Sequence, residues 1–471
     1  MANQTHEGTV QQTLGPTLNA DLQSALEAIL GPRLSTNPTI VEQHGHGESH
    51  HPAQPPAAVA FVETEAELIQ VVQLCQQYHT PMVAFGAGTS IEGQLQCVDG
   101  GLCIDFSRMN RILEVNAGDL SCVVEPGVTR EQLNQYLRDQ GLFFPVDPGA
   151  NATLGGMVAT DASGTTTIRY GGMKHNVLSL HGVLANGDTI VTGRAARKSS
   201  AGYNLTELLV GSEGTLALIS RIRLKLYGIP EQILAARVCF PSVNDAVTAV
   251  ISIMQYGLAV SRLEILNPCS LQAVNQYCQT SYPEQPTLFM EFHGSAAVVT
   301  EQAQAAQAMC TEHGGREFAC ASSEEDKKRM WHARHNAYYA ALAQVPNGRG
   351  WVTDVCVPIS RLADCIDATQ SDLEQEGLAI PIVGHVGDGN FHLLFSIPPD
   401  DEPGLQQAQH INQRLIERAH AMGGTCTGEH GIGLGKKAYL LQEKGETTIA
   451  VMAAIKQALD PLHLLNPGKI F

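Results

Sequence analysis

Residues 145–164 carry mostly small side chains over about twenty consecutive positions, PVDPGANATLGGMVATDASG. A close-packed protein core needs larger side chains than these. Such a stretch makes sense if a flat, extended ligand lies against nearly bare backbone. We therefore expect the chain to fold around an elongated ligand, and this requirement constrains the fold more than any other feature of the sequence.

A second glycine-rich segment, residues 81–93, predicts a strand that runs into a loop. A Rossmann dinucleotide site needs glycine at the first, third and sixth positions of its loop. Gly86 and Gly88 satisfy two positions but Ile91 occupies the sixth, so NAD in a Rossmann site is disfavoured. The backbone N–H groups of such a loop can still form a nest for an anion. Residues 170–172 and 211–215 repeat the glycine-rich pattern.

Composition and length bound the class of protein. The 471 residues include 29 basic and 47 acidic side chains, and the net charge of −18 disfavours a nucleic-acid partner. At about 150 residues per domain, we expect about three structural units. The 12 cysteines show no C-x-x-C spacing, which indicates free thiols in a reducing compartment. No signal peptide, transit peptide or transmembrane segment is indicated, so a cytoplasmic protein is expected, with peripheral membrane association left open.

Apolar periodicity predicts the principal helices and leaves the intervening segments as strands and loops. The expected helices cover residues 21–30, 64–78, 244–256, 300–313, 327–342 and 406–421, with a further one that begins near residue 449.

Two histidines flank a predicted turn between residues 381 and 395. Asp388-Gly389 suits a two-residue type I′ turn, and folding there pairs His385 with His392. Directly opposite residues have Cβ atoms about 5 Å apart, so two imidazoles in this register can bind one metal ion. A stacked pair of core histidines is the alternative.

A metal site needs a third ligand, and the loop at residues 423–435 supplies two candidates, Glu429 and His430. Its six glycines in thirteen residues indicate close approach to something large, whereas a flexible surface loop is the alternative. The sequence has no H-E-x-x-H motif, so a zincin protease is not indicated.

Together these motifs resemble the FAD proteins of the vanillyl-alcohol oxidase type. Within that family the chain is most similar to the branch that holds D-lactate dehydrogenase, the glycolate oxidase D subunit and D-2-hydroxyglutarate dehydrogenase. The resemblance implies an α+β fold, in which a two-subdomain FAD-binding domain precedes an α+β substrate (cap) domain with an antiparallel sheet. A C-terminal segment then returns to the flavin. The expected boundaries are 1–52 for an N-terminal segment, 53–228 for the FAD-binding domain, 229–420 for the substrate and metal domain, and 421–471 for the C-terminal segment.

The resemblance also implies which residues bind FAD. In the family, the first loop binds the diphosphate and residues 148–171 line the rest of the cofactor. Residues 213–219 lie near its adenine end, and Asn466 closes over the flavin. The implied residues are Gly86, Ala87, Gly88, Thr89, Ser90, Gly93, Pro148, Gly149, Thr153, Gly155, Gly156, Ala159, Ser163, Gly164, Tyr170, Gly171, Glu213, Gly214, Ile219 and Asn466. Some relatives attach FAD through a histidine in the first loop. Residues 86–93 contain none, so we expect non-covalent FAD.

For the reacting centre, the resemblance implies a divalent metal, zinc or manganese, bound by His385, His392 and Glu429. His430 matches the catalytic base, and Arg334 matches the residue that binds the substrate carboxylate. An arginine that faces solvent is the alternative for the last of these.

Substrate preference follows from three neighbouring positions. Relatives that act on hydroxyglutarate carry polar residues where this chain has Tyr338, Val352 and Leu394, so a monocarboxylate is favoured here. The implied function is FAD-dependent, metal-assisted oxidation of a D-2-hydroxy acid, D-lactate first, to the 2-oxo acid. Electrons would pass to an external acceptor, which could be a cytochrome, a quinone or an electron-transfer flavoprotein.

Other functions stay open on the sequence alone. A glycolate oxidase subunit and a D-2-hydroxyglutarate dehydrogenase are alternatives within the class. A flavin-free metallohydrolase explains the histidine hairpin but not the small residues at 148–164. A non-catalytic flavin carrier has no need for Arg334 and the histidines together.

Overall fold

A computed structural model describes residues 16–471. The expected N-terminal segment, residues 1–52, is therefore described only from Pro16 onward. The expectation that the chain carries no targeting segment rests partly on residues 1–15, which lie outside the described residues.

The described chain alternates helices and strands throughout. The helices are α1 (Ala20–Leu30), α2 (Pro38–Gln43), α3 (Glu65–Gln77), α4 (Arg130–Leu137), α5 (Leu154–Ala159), α6 (Thr167–Tyr170), α7 (Met173–Asn176), α8 (Leu205–Leu209), α9 (Val243–Tyr256), α10 (Pro268–Cys278), α11 (Ala296–Glu312), α12 (Glu324–His335), α13 (Ala337–Leu342), α14 (Leu362–Gln375), α15 (Glu402–Ala421) and α16 (Lys437–Leu459), with 3₁₀ turns at Gly31–Arg33, Arg138–Gln140 and Ile359–Arg361. The strands are β1 (Leu34–Ser35), β2 (Ala58–Phe61), β3 (Met82–Phe85), β4 (Leu102–Asp105), β5 (Ile112–Asn116), β6 (Ser121–Val124), β7 (Leu142–Phe143), β8 (Val177–Val183), β9 (Thr189–Val191), β10 (Leu218–Lys225), β11 (Tyr227–Gly228), β12 (Gln232–Cys239), β13 (Val260–Leu266), β14 (Thr287–Gly294), β15 (Arg316–Ala321), β16 (Arg349–Val352), β17 (Val355–Cys356), β18 (Ile382–His385) and β19 (Asn390–Ile397).

Three large sheets organise the described residues, and β7 and β11 form a fourth, two-stranded antiparallel sheet. The first has the order β1-β2-β4-β3, in which β2, β4 and β3 run parallel and β1 is antiparallel. The second, β5-β6-β10-β8-β9, is antiparallel throughout. The third has the order β15-β12-β14-β13-β18-β19-β16, with β17 also paired to β19, and its strands are antiparallel. Each large sheet packs against helices through its own apolar cluster.

Helix α9 shows how local sequence sets these elements. Ser242 caps its N-terminus by accepting a hydrogen bond from the backbone N–H of Asp245. Its buried face carries alanine, valine and isoleucine and lies against the large sheet. Gly257 ends the helix at a φ of 78°, a left-handed conformation that glycine adopts without strain.

The C-terminal segment returns to the first sheet. The backbone N–H of Met82 donates to Leu464 O at 2.7 Å, and that of Asn466 donates back to Met82 O at 2.8 Å. The buried ammonium of Lys456 holds the segment in place through Asp460 and the carbonyl oxygen of Leu465. These contacts place the last residues beside the loop that follows β3.

Two further observations concern the whole described chain. Within residues 16–471, no helix is both long and apolar enough to cross a lipid bilayer. All 12 cysteines lie in the described part and are free thiols, most of them buried.

Candidate active site

A cavity of about 540 Å³ lies between the glycine-rich segments and the large antiparallel sheet. Its volume falls in the range of small-molecule and cofactor sites. Most of the residues predicted to bind the cofactor line it, as do all five residues predicted for the reacting centre. The predicted cofactor residues in its wall are Gly86, Ala87, Gly88, Thr89, Ser90, Pro148, Gly149, Thr153, Gly155, Gly156, Ala159, Ser163, Gly164, Glu213, Gly214, Ile219 and Asn466.

The glycines let these segments approach one another closely. A Cβ added to Gly86 would lie 2.2 Å from Oγ1 of Thr153, and one on Gly164 would lie 2.3 Å from the carbonyl oxygen of Asp147. Both distances are far shorter than ordinary carbon–oxygen contacts. The result is a long wall of bare backbone, which fits the flat, extended shape of FAD.

Three predicted cofactor residues, Gly93, Tyr170 and Gly171, are not among the residues that line the cavity. At Gly93, an added Cβ would face His51 and Leu434 instead of the cavity. The Tyr170 hydroxyl lies 2.8 Å from Nδ1 of His293 on β14, and the Tyr170 ring does not line the cavity. Gly171 follows as a left-handed turn residue, with a φ of 75°.

Three predicted metal ligands converge on one point of the wall. Oε1 of Glu429 lies 3.3 Å from Nε2 of His385 and 3.1 Å from Nε2 of His392. One donor atom from each residue lies within 4.8 Å of the others. Two imidazoles and a carboxylate are a ligand set typical of catalytic zinc and manganese sites, so the residues present fit a divalent cation.

The predicted pairing of the histidine hairpin is wrong by two residues. His385 pairs with Asn390, and His392 pairs with Val383, because four residues separate β18 from β19 instead of two. His392 therefore lies diagonally from His385 on the same sheet face, where aromatic side chains still meet. Their ring centroids are 5.6 Å apart, so the expected convergence holds despite the register error.

Hydrogen bonds set the tautomer of both histidines. Nδ1 of His392 lies 2.8 Å from Thr353 O, a carbonyl that can only accept, so this nitrogen carries the proton. Nδ1 of His385 lies 2.6 Å from Oε1 of Glu264 and donates to that carboxylate. A cation bound at the common point would use the lone pair of each Nε2, the arrangement expected of metal-binding histidines.

The predicted catalytic histidine stands beside this set. The ring of His430 stacks on that of His392 at a centroid distance of 5.0 Å. Burial lowers the pKa of His430 to about 4. The second oxygen of Glu429 accepts a hydrogen bond of 2.7 Å from the Ser163 hydroxyl, so the donor set adjoins the predicted flavin wall directly.

Two buried carboxylates hold the loop that carries Glu429 and His430. Oδ2 of Asp354 accepts the backbone N–H groups of residues 428, 429 and 430 at 2.8, 3.0 and 3.0 Å. Glu213 accepts those of residues 432 and 433 at 2.7 and 2.9 Å. The loop is therefore fixed by side chains and is not the flexible surface loop that its glycines also allowed.

Arg334 lines the cavity and is not a solvent-facing arginine, since its side chain is only 11% exposed. Its Nε and Nη2 donate to Oε2 of Glu264 at 2.9 and 2.6 Å. No hydrogen bond from Nη1 to another described residue is present, so this nitrogen is available to a ligand. Tyr338, Val352 and Leu394, the positions that favour a monocarboxylate, share the same wall.

Sequence inspection missed two residues on β13, one in the cavity wall and one behind it. Arg262 lies in the wall between Asp147 at 2.9 Å and Glu291 at 3.4 Å. Glu264, two positions further on, binds Arg334 and His385 as described above. The sequence of β13 does indicate them. Arg262 and Glu264 are two positions apart, so they lie on one face of a mostly apolar strand, and this pattern predicts that they point to a common polar site.

The fold and the cavity together fit one class, a flavin-dependent oxidoreductase, and one wall of the cavity carries two histidines and a glutamate that could hold a cation. Residues 56–193 match the family described as "FAD binding domain", and residues 229–470 match "FAD linked oxidases, C-terminal domain". The chain belongs to this family of FAD-linked oxidases.

Individual relatives agree with the family. "Probable D-lactate dehydrogenase, mitochondrial" of Danio rerio is 47% identical over 440 residues, which cover 93% of this chain and 88% of that protein. "D-lactate dehydrogenase [cytochrome], mitochondrial" of Arabidopsis thaliana is 41% identical and covers 96% and 80%. "Glycolate oxidase subunit GlcD" of Bacillus subtilis is 31% identical and covers 89% of each chain.

Among solved structures, p-cresol methylhydroxylase with substrate bound superposes with a TM-score of 0.77 at 16% identity, covering 96% of both chains. This likeness concerns the fold alone. It confirms the predicted fold class, a two-domain FAD oxidase with antiparallel sheets.

Proposed function

We propose that this protein oxidises D-lactate to pyruvate with bound FAD and passes the electrons to an external acceptor such as a cytochrome. One observation carries the proposal. Arg334, His430 and the donor set of His385, His392 and Glu429 lie in one wall, and Ser163 connects that wall to the flavin side. The names of the relatives at 47% and 41% identity support the choice of substrate.

The chain supplies binding and proton transfer. Arg334 offers Nη1 to the substrate carboxylate, because Glu264 occupies its other two donor groups. His430 is placed to take the proton of the 2-hydroxyl group, since its ring lies against His392 in the same wall. Tyr338 and Leu394 close the remaining space with apolar surface suited to a small monocarboxylate.

Two groups bind to this framework in the proposed enzyme. FAD, when bound, supplies the two-electron oxidant for C2 of the substrate. A divalent zinc or manganese ion held by His385, His392 and Glu429 would act as a Lewis acid towards the 2-hydroxyl group. A flavin-free metallohydrolase would not explain why residues 56–193 match an FAD-binding domain.

Anaerobic reduction of the purified holoenzyme tests the proposal. D-lactate is expected to bleach the flavin absorbance while an equal concentration of L-lactate leaves it unchanged. Turnover with an artificial acceptor then ranks D-lactate against glycolate and D-2-hydroxyglutarate. A faster turnover of either competitor would overturn the choice of D-lactate, and a flavin that no 2-hydroxy acid reduces would overturn the reaction class.

A further inference from the structure

Glu264 connects two parts of the proposed machinery that lie far apart in the sequence. Its carboxylate is almost completely buried, with 1% of the side chain exposed. One oxygen accepts the Nδ1 proton of His385 at 2.6 Å, and the other accepts two N–H groups of Arg334. A single carboxylate therefore contacts both a proposed metal ligand and the proposed substrate-binding arginine.

The sheet brings this contact about. In the ladder between β13 and β18, Ile265 pairs with Gly384 and Leu266 with Val383, so the next position places Glu264 opposite His385. Residues opposite each other on neighbouring strands project from the same face. Arg334 reaches the same carboxylate from α12, whose buried residues share an apolar cluster with Leu266 and Val383 of these two strands.

A buried carboxylate is costly unless it is fully paired, and Glu264 is paired on both oxygens. Because a carboxylate can only accept, His385 keeps its proton on Nδ1, which leaves the lone pair of Nε2 for a cation held jointly with Glu429. Because Arg334 uses Nε and Nη2 here, its planar guanidinium is held in one plane with Nη1 turned outward.

We infer that Glu264 is a positioning residue of the reaction, one that sets the tautomer of His385 and the orientation of Arg334 at once. This inference rests on the proposed function. It predicts that loss of one carboxylate weakens metal binding and carboxylate binding together, although Glu264 touches neither ligand.

The neighbouring strand offers a matched control. Glu291 is buried to a similar degree and also bridges a histidine and an arginine, His293 at 2.6 Å and Arg262 at 3.4 Å. It contacts neither His385 nor Arg334. The two glutamates thus differ in what they are connected to, not in burial or chemistry.

The experiment uses FAD-loaded, metal-depleted protein titrated with Mn²⁺, followed by steady-state kinetics with D-lactate. A glutamine has one acceptor oxygen, so in Glu264→Gln it can serve Arg334 or His385 but not both. We expect the Mn²⁺ Kd to rise by about 10- to 100-fold. The KM for D-lactate is expected to rise as well, while flavin content stays at the wild-type level. Glu291→Gln is expected to retain the wild-type Mn²⁺ Kd.

A second variant guards against misfolding. Glu264→Asp keeps the charge on a shorter side chain and is expected to give a Kd between those of wild type and Glu264→Gln. Wild-type constants for Mn²⁺ and D-lactate in both variants would overturn the inference. Failure of the wild-type protein itself to bind Mn²⁺ or to oxidise D-lactate would overturn the proposed function, and the inference with it, so the two failures appear in different samples.

Discussion

The two walls of the cavity are built on opposite principles. The flavin wall consists of glycine and other small residues, and its shape comes from the side chains that are missing. The substrate wall combines apolar residues such as Leu394 with charged and polar side chains, namely Arg334, His385, His392, Glu429 and His430. Its chemistry comes from these charged and polar groups, which have buried partners. The first wall is therefore sensitive to added volume and the second to lost charge.

The largest expected effect is in the substrate wall. Glu429→Gln removes the one anionic member of the donor set. We expect D-lactate turnover to fall at least about a thousand-fold, since a catalytic metal contributes several kcal/mol to transition-state stabilisation. Bound metal, measured by elemental analysis, is expected to fall in parallel while FAD content does not change.

A matched control for that variant is Glu443→Gln, which alters a carboxylate that accepts the backbone N–H of Cys426 in the same loop. It is expected to retain bound metal. If Glu429→Gln lost FAD and metal together, the two walls would not be separable in the way described.

The flavin wall is tested by added volume. Gly149 lines the cavity, and a Cβ built on it meets no atom within 4 Å, so Gly149→Ala is expected to fold normally. Overpacking by one methyl costs about 1–3 kcal/mol, so the FAD Kd should rise by about 10- to 100-fold. Titration of flavin-free protein with FAD measures it.

Gly228→Ala is the control for this change, because Gly228 also has open space around its Cβ position but lies outside the wall. Its FAD Kd is expected to match wild type. An unchanged Kd in Gly149→Ala would mean that FAD does not lie against this part of the backbone.

The smallest effect is expected where the walls meet, at Glu213. Burial raises the pKa of this carboxyl to about 7. Two hydrogen bonds from backbone N–H groups and the charges of Lys469 and Lys436 favour the ionised form, but they offset this effect only in part. The unfolded value is about 4.3. Between about pH 4.3 and pH 7 the folded protein therefore binds a proton at Glu213 that the unfolded chain releases. The resulting stabilisation of the folded state is fully present below about pH 4.3 and is lost as pH rises through about 7.

Thermal unfolding of flavin-free protein measures this contribution. The Tm of wild type is expected to fall more between pH 5 and pH 8 than the Tm of Glu213→Gln, which has nothing to titrate there. At this chain length each kcal/mol corresponds to about 1 °C in Tm. If the difference in Tm between wild type and Glu213→Gln were the same at pH 5 and at pH 8, the Glu213 carboxyl would not titrate between these pH values.

The same contrast explains how far the sequence predicts the molecule. The flavin wall is made of contiguous segments, so the small residues at 145–164 and the loop after β3 mark it directly. The helix expected at 327–342 divides at Asn336 into α12 and α13, which the apolar pattern does not show. The hairpin register was wrong because Asp388-Gly389 suits a two-residue turn, while the chain forms a four-residue turn closed by Asp388 N to His385 O at 2.9 Å.

The partners in the substrate wall escaped prediction for a different reason. Glu264 meets His385 only because β13 lies beside β18, and it meets Arg334 only because α12 packs against that face of the sheet. Neither contact can be predicted from a short segment of the sequence, because the residues that meet are far apart in the chain. The two histidines came from the hairpin pattern, and Glu429 and His430 came from the glycine-rich loop as candidates. The family resemblance then assigned Glu429 to the donor set and His430 to the base.

Asn466 has a consequence for the order of events in biosynthesis. Its side chain donates to Gln94 O at 3.1 Å and to Glu213 O at 2.7 Å, and so joins two flavin-side segments made far earlier. A chain cut or terminated before residue 466 lacks the amide that joins these two segments. The bridge therefore forms only after both of them have been made.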